Sequence, residues 1–214
     1  MLISFLAQTY GTMKTDLAKV FNDFFDQIHW YIKLLDKICK PLYITEKYEV
    51  YESFVLKICV TWETFTNDLF ALCLKNNTSQ YSKFLGVKLP KRPSLELCAV
   101  LISGYRYIDS RRVAEDAKKI LTPDYNPFSE KAPGRKKIDE FFAIRNYVAH
   151  RSKASKRSLR RIYQDTYHLK QFQEPGRFLL SPIREGVKEI WFGEFIQAFI
   201  NTAQIMALHL KVYK

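Results

Sequence analysis

The sequence predicts an all-α protein that forms a single helical-bundle domain over residues 1–214, with one short β-hairpin before the last helix. Apolar residues make up 47% of the chain and aromatic residues 15%, which is typical of a globular protein with a substantial core. Long stretches repeat apolar residues every three or four positions, the spacing that places them on one helix face. Only 7 Gly and 8 Pro interrupt these stretches, so most of the helices are expected to be long.

Two long helices are predicted in the first third of the chain. The first runs from about Thr15 to Cys39 and ends there because Pro41 disfavours helical geometry in the residue before it. The second runs from about Lys47 to Lys75. Each carries a stripe of large apolar and aromatic residues, which predicts that both helices contribute to the core.

Shorter elements follow. Residues 76–93 are predicted to be a connection with one helical turn near residues 81–85, because Asn, Gly and two prolines interrupt the pattern. Helices are predicted over 94–107 and 110–121. Residues 122–135 contain three further prolines and are predicted to form a loop.

The second half of the chain begins with a strongly apolar helix predicted over about residues 136–152. A basic segment continues to about residue 170. Two apolar runs between 177 and 192 flank a Pro-Ile-Arg-Glu-Gly turn, which predicts the short β-hairpin. The last helix is predicted over about residues 193–212.

Positive charge is concentrated in one segment. The formal net charge of the chain is +12, and residues 131–161 contain eleven Lys and Arg against two acidic residues, a local net charge of +9. Such an excess indicates a polyanionic partner, and nucleic acid is the usual one.

Several features indicate a cytoplasmic protein. The four cysteines lie in helical patterns without a Cys-x-x-Cys pair, so we expect buried free thiols in a reducing compartment. The first residues lack the basic start and the length of a signal peptide. Polar residues interrupt the apolar stretch 190–210 at helical spacing, so we expect a packed helix there and no membrane span.

The candidate catalytic residues are Arg145 and His150, in the segment Ile144-Arg145-Asn146-Tyr147-Val148-Ala149-His150. The Arg-to-His spacing alone is not specific, because Arg161 and His168 form a second such pair. Context separates the two pairs. A strongly apolar helix leads into the first pair, whereas Arg161 lies in a Ser- and Arg-rich stretch, and we interpret the second pair as a coincidence.

The stretch from Ile138 to Ser152 resembles the signature helix of the HEPN superfamily, in which an aliphatic helix leads into Arg-Asn and then Ala-His. Trp62-Glu63-Thr64-Phe65 is similar to the Trp-Glu-x-Phe element that precedes this signature in several HEPN subfamilies. The resemblance covers about residues 45–212 and is strongest to stand-alone, RiboL-PSP-like HEPN proteins of prokaryotic defence and toxin systems. One toxin subfamily has a Tyr two residues after the His, where this chain has Ser152, so regulation through that tyrosine is not expected.

The resemblance implies a ribonuclease that needs no metal and no other cofactor. It also implies a homodimer in which two signature helices meet and two Arg/His pairs form one composite active site. RNA is the implied substrate, and a cognate antitoxin or another regulatory protein is an implied further partner.

The residue types themselves suit RNA cleavage. A base must take the proton of the 2′-hydroxyl, an acid must protonate the leaving 5′-oxygen, and a cation must stabilise the phosphorane. An imidazole suits proton transfer because its ordinary pKa is near neutral, and a guanidinium offers phosphate planar, permanently charged donors.

The helical spacing of the pair is less favourable. On an ideal helix, Arg145 and His150 lie roughly 140° apart, whereas Asn146 and His150 share a face. We therefore expect either that Arg145 reaches the site with its long side chain or that the helix loosens near His150.

Two residues are predicted to support the site, Asn146 and Glu63. The helical neighbours of Glu63 are mainly apolar, so its carboxylate requires a partner. We expect Arg145 to be that partner, and the alternative is a partly exposed Glu63 that pairs with another Lys or Arg.

The basic run after His150 is predicted to bind RNA, because it adjoins the motif and has few acidic neighbours. The alternative is ordinary solvated helix charge. Its members are Arg151, Lys153, Lys156, Arg157, Arg160 and Arg161. The remaining histidines, His29, His168 and His209, are expected to be structural.

The leading prediction is thus a metal-independent endoribonuclease, with the role of a toxin or antiviral effector implied by the resemblance. No Gly-rich phosphate loop, paired-carboxylate metal site or nucleophilic Ser or Cys elbow is recognisable in the sequence. Two alternatives remain open. One is a non-catalytic HEPN module that binds RNA or nucleotides, and the other is a helical protein whose basic surface binds an acidic partner.

Overall fold

The computed structural model describes residues 2–104, 109–128 and 134–212, with side chains from residue 15 onward. Within these ranges the chain forms nine α-helices, one short 3-10 helix and no strand. The predicted all-α fold class is confirmed.

Two long helices come first. Helix α1 spans Leu2–Cys39 and helix α2 spans Ile44–Asn76. Helix α1 begins well before the predicted start but ends at the predicted residue, since Pro41 follows. Helix α2 extends slightly beyond its predicted limits at both ends.

Three shorter helices follow: α3 at Ser79–Leu85, α4 at Leu95–Ile102 and α5 at Ser110–Ile120. Side-chain caps define two of their starts, because Ser94 Oγ accepts from the Leu97 N–H at 3.2 Å and Asp109 Oδ1 from the Arg112 N–H at 2.8 Å. Helix α4 is shorter than predicted, and the predicted end at Tyr107 lies outside the described residues. The predicted loop contains the 3-10 helix Pro123–Tyr125, and residues 129–133 of it also lie outside the described residues.

The second half contains α6 at Arg135–His150, α7 at Lys153–Tyr167, α8 at Pro175–Leu180 and α9 at Trp191–His209. The β-hairpin predicted over residues 177–192 is wrong. Pro175 occupies the first position of α8, where its fixed φ suits a helix start, and the apolar run after it is helical. Only one isolated antiparallel bridge, between Pro182 and Ile190, is present where the hairpin was expected.

The chain divides into two compact units. The first comprises residues 1–25, 62–132 and 202–214. Its aromatic core includes Phe24, Trp62 and Phe65, and the rings of Phe24 and Phe65 stack at a centroid distance of 4.5 Å. The prediction of a single domain over the whole chain stays a prediction.

The second unit comprises residues 26–61 and 133–201 and contains α6, α7 and α8. Its core is also aromatic: Tyr163 lies 4.4 Å from Phe178, and Phe141 lies 5.3 Å from Phe195, between ring centroids. All of these rings are fully buried. Arg145 and His150 belong to this unit, whereas Glu63 belongs to the first.

The four cysteines are buried free thiols, as predicted. Over the described residues, no helix combines the length and the apolar character needed to cross a membrane.

Candidate active site

His150 is the last residue of α6 and stands at a tight corner between α6 and α7. Arg151 follows it in the left-handed conformation, with φ 47°, and its N–H donates to the Tyr147 carbonyl at 2.8 Å. Ser152 then caps α7, because its Oγ accepts from the Ser155 N–H at 3.1 Å. The chain therefore reverses within two residues, and α6 and α7 pack against each other.

An open groove of about 430 Å³ lies beside this corner. Asn146 and His150 of α6 line it and are both exposed. They share a helix face, as the spacing of four residues predicts. The rest of the lining consists of small side chains: Ala143, Ala154, Ser155 and Ser158. Because these side chains are short, a ligand in the groove can approach both the amide and the imidazole.

Arg145 occupies a different face of α6 and does not line the groove. Helix α6 continues to His150. The helix therefore does not loosen near His150, which was one of the two arrangements expected from the sequence. The Arg145 Nη1 donates to Asn146 Oδ1 at 3.2 Å. The guanidinium thus contacts the residue that shares the groove with His150.

A network of ion pairs that was not predicted from the sequence holds the corner in place. The Arg151 guanidinium binds two carboxylates, donating from Nη2 to Glu52 of α2 and from Nη1 to Glu174 Oε2, the latter at 2.9 Å. Glu52 is buried and also accepts from the Gly176 N–H at 3.0 Å. The Tyr147 hydroxyl donates to Glu174 Oε2 at 3.1 Å.

Burial lowers the pKa of Arg151, but the Tyr147 side chain and the two carboxylates more than offset it, so the pKa is raised overall. Arg151 is therefore a fixed cation that joins α2, the α6–α7 corner and the start of α8. Its predicted contact with RNA stays a prediction.

The other predicted RNA-binding residues of α7 fall into two groups. Lys156 and Arg160 lie over the Phe172 ring, with Lys156 Nζ 4.6 Å and Arg160 Cζ 5.9 Å from its centroid. Lys153, Arg157 and Arg161 are exposed, and no carboxylate among the described residues pairs with them.

Helical spacing places Arg157 and Arg161 next to groove-lining residues of α7. Each follows a groove-lining residue of α7 by three positions, Ala154 and Ser158 respectively, and residues three apart are neighbours on a helix surface. The two arginines are also one turn apart from each other. They form an uncompensated positive edge along the groove.

The remaining predicted residues lie elsewhere. Glu63 is partly buried on α2, and its ion pair with Arg145 stays a prediction. His29, His168 and His209 are exposed, and none of them lines the groove. Among the described residues, no three His, Cys, Asp or Glu side chains are placed to hold a metal ion together.

Comparisons with known proteins found no matching family model, no matching curated protein and no matching solved structure. The HEPN resemblance therefore rests on the sequence segments quoted above. The chemistry of the site is argued from its own side chains, which are one imidazole, one amide and one guanidinium beside an exposed basic helix.

Proposed function

We propose that this protein is a metal-independent endoribonuclease with Arg145 and His150 as its catalytic residues. The observation that carries the proposal is the groove, in which an exposed imidazole and an exposed amide lie beside a helix edge whose arginines pair with no carboxylate among the described residues. A phosphodiester is the ligand that suits this combination, because arginines bind phosphate and the imidazole can transfer a proton at neutral pH.

In the proposed reaction, an RNA strand follows Arg157 and Arg161 into the groove. His150 accepts the proton of a 2′-hydroxyl, and that oxygen attacks the adjacent phosphorus. The bond from phosphorus to the 5′-oxygen breaks, and this oxygen leaves with a proton from an acid. The products are a 2′,3′-cyclic phosphate and a free 5′-hydroxyl. Arg145, oriented by Asn146, stabilises the negative charge of the phosphorane.

The proposed active unit is a homodimer. In an in-line displacement the attacking and leaving oxygens lie on opposite sides of the phosphorus, so one imidazole is badly placed to serve both, and the groove of one chain is lined by one histidine. A second copy that brings its own α6 to the same cleft supplies the acid and a second guanidinium. The HEPN resemblance supports this arrangement, and it also supports a role as a cytoplasmic toxin or antiviral effector that an antitoxin or another regulatory protein restrains.

A non-catalytic RNA-binding protein is the second candidate, and one observation favours it. Arg145 does not itself line the groove, so a single chain holds RNA next to His150 without placing the guanidinium at the same phosphate. This candidate predicts equal RNA affinity for the wild type and His150→Ala, with no cleavage by either.

Controlled expression in bacteria separates the two candidates. Wild-type protein is expected to arrest growth and degrade cellular RNA, while Arg145→Ala and His150→Ala are expected to do neither. His168→Ala is the matched control, because this exposed histidine lies outside the groove, and it should behave as the wild type. Growth and RNA integrity that are identical for all four proteins would remove the ribonuclease proposal.

A further inference from the structure

A second pocket lies in the second unit, away from the α6–α7 corner. Its volume is about 460 Å³, and residues of α1, α2, α8 and α9 line it. The walls are mainly aliphatic and aromatic, formed by Ile32, Leu35, Leu180, Phe192, Ile196 and Ile200. Pockets of this size with mainly apolar walls and a few polar groups are typical of small-molecule sites.

Two polar residues in the lining of this apolar pocket lie next to each other. Lys47 and Tyr51 lie one turn apart on α2, so they share a face, and both line the pocket. Among the residues that the structure describes, no carboxylate pairs with Lys47 and no group forms a hydrogen bond with the Tyr51 hydroxyl. The pocket therefore contains one unpaired cation and one unused hydroxyl donor side by side.

The other charges of the pocket compensate each other. Asp36 and Lys40, at its rim, form an ion pair of 3.1 Å. Lys47 is left as the uncompensated charge, so the pocket carries a local charge of plus one. Burial raises the pKa of Tyr51 most, and the nearby Cys39 and Asp36 raise it further. The Tyr51 hydroxyl therefore stays protonated and can donate a hydrogen bond.

We infer that this pocket binds a small amphiphilic carboxylate, such as a medium-chain fatty acid. Its carboxylate accepts from the Lys47 ammonium and the Tyr51 hydroxyl, and its alkyl chain packs against the aliphatic wall. The pocket contains neither Arg145 nor His150. The inference therefore goes beyond the proposed ribonuclease and stands or falls independently of it.

Isothermal titration calorimetry of the full chain with octanoate tests the inference, and octylamine serves as the ligand of opposite charge. We expect saturable one-to-one binding of octanoate with a Kd of about 0.1–1 mM, which is reasonable for a ligand of about ten heavy atoms. Octylamine should not bind. Lys47→Gln should weaken octanoate roughly tenfold, because one charge-assisted hydrogen bond is lost.

Three further variants complete the test. Lys33→Gln is the matched control, because it removes an exposed lysine of α1 that does not line the pocket, and it should leave octanoate binding unchanged. Tyr51→Phe keeps the ring contact with Phe192, at 4.8 Å between centroids, and should weaken binding through the lost hydroxyl alone. Gly193→Leu adds a side chain at a lining position where a Cβ meets nothing within 4 Å, and it should reduce binding by filling the pocket.

Several results would overturn the inference. One is the absence of saturable octanoate binding to the wild type. The inference is also overturned if binding is absent because a second copy of the chain covers the pocket, which sedimentation would show. Equal binding of octylamine and octanoate is another. Equal weakening by Lys47→Gln and Lys33→Gln would assign the effect to general surface charge and would also overturn it.

Discussion

At Arg151, an unfavourable backbone conformation and favourable ion pairs have opposite effects on the free energy of folding. Its left-handed backbone, with φ 47°, costs roughly 1 kcal/mol for a residue with a Cβ. Its side chain offsets this cost by neutralising the buried Glu52 and the more exposed Glu174. Because Arg151 directly follows His150, the same contacts set where the α6 helix ends and where the imidazole stands.

Replacing Arg151 with Ala should destabilise the protein by about 1–3 kcal/mol, because the buried Glu52 carboxylate would then have the Gly176 N–H as its one remaining donor among the described residues. Urea denaturation followed by circular dichroism measures the change. Arg161→Ala is the matched control and should stay within about 0.5 kcal/mol, since this side chain is exposed and unpaired among the described residues. Equal stabilities of the two variants would contradict this account of the corner.

At this scale, the sequence predicts local geometry well and distant partners poorly. Helical spacing alone places Asn146 and His150 on one face and Arg145 on another, and the structure agrees. The partners of Arg151 are 99 and 23 residues away along the chain. No periodicity connects positions so far apart, so Glu52 and Glu174 could not be identified before the fold was known.

Among the secondary-structure elements, the short helix α8 is the one whose type was mispredicted. Three apolar residues in a row fit a buried strand or a helix equally well, because periodicity cannot separate them over so short a run. Pro175 at the first helical position decides in favour of the helix. The long helices were predictable because their apolar stripes extend over many turns, and Pro41 marks the end of α1.

Helix α8 approaches α2 so closely that a side chain at position 176 has no room. A Cβ on Gly176 would lie 2.4 Å from the backbone oxygen of Tyr48. Gly176→Ala should therefore destabilise the protein by about 1–3 kcal/mol, the usual cost of overpacking. Gly193→Ala is the control in another helix, where a Cβ meets nothing within 4 Å, and it should be neutral or stabilise by up to about 1 kcal/mol. Thermal unfolding of both variants gives the comparison, and a Gly176→Ala protein as stable as the wild type would refute the close approach.

Helix α7 should provide the electrostatic part of RNA binding through Arg157 and Arg161. Replacing both with Ala should reduce the slope of log affinity against log salt by about 1.4, since each phosphate contact on a single strand contributes about 0.7. Fluorescence anisotropy with a labelled single-stranded RNA at several salt concentrations measures this slope.

The matched control for this variant replaces Lys33 and Lys37 with Ala. These residues are also exposed and one turn apart, on α1, and their removal changes the net charge equally. The control should retain the wild-type slope. If both double variants lose the same amount, the attraction comes from net charge and not from α7.

At the scale of the whole molecule, the most informative property is where the net charge of +12 lies along the chain. Most of it lies in the segment that forms α6 and α7. Helical spacing places Arg157 and Arg161, which pair with no carboxylate among the described residues, next to groove-lining residues of α7. The positions of the charged residues along the sequence reveal this concentration, and the fold class follows from the helical periodicity. The division into two compact units was not predicted, because α1, α2 and α9 each have a continuous apolar pattern that gives no sign of a boundary.

The proposed homodimer predicts that activity depends on protein concentration. If the second imidazole comes from a partner, the specific activity should fall on dilution in parallel with the dissociation of the dimer. Sedimentation velocity and RNA cleavage, measured at the same concentrations, provide the test. A protein that is strictly monomeric at micromolar concentration and still fully active would exclude the composite site.

The most direct measurement of the central claim is cleavage of a defined single-stranded RNA by the purified protein in the presence of EDTA. Wild type and His168→Ala should cleave it and leave 2′,3′-cyclic phosphate and 5′-hydroxyl ends. Arg145→Ala and His150→Ala should each be slower by about 10²–10⁴-fold, the range expected for loss of a phosphate-stabilising cation or a proton-transfer group. Cleavage that EDTA abolishes, or that persists unchanged in both folded variants, would contradict the assignment of catalysis to these two residues.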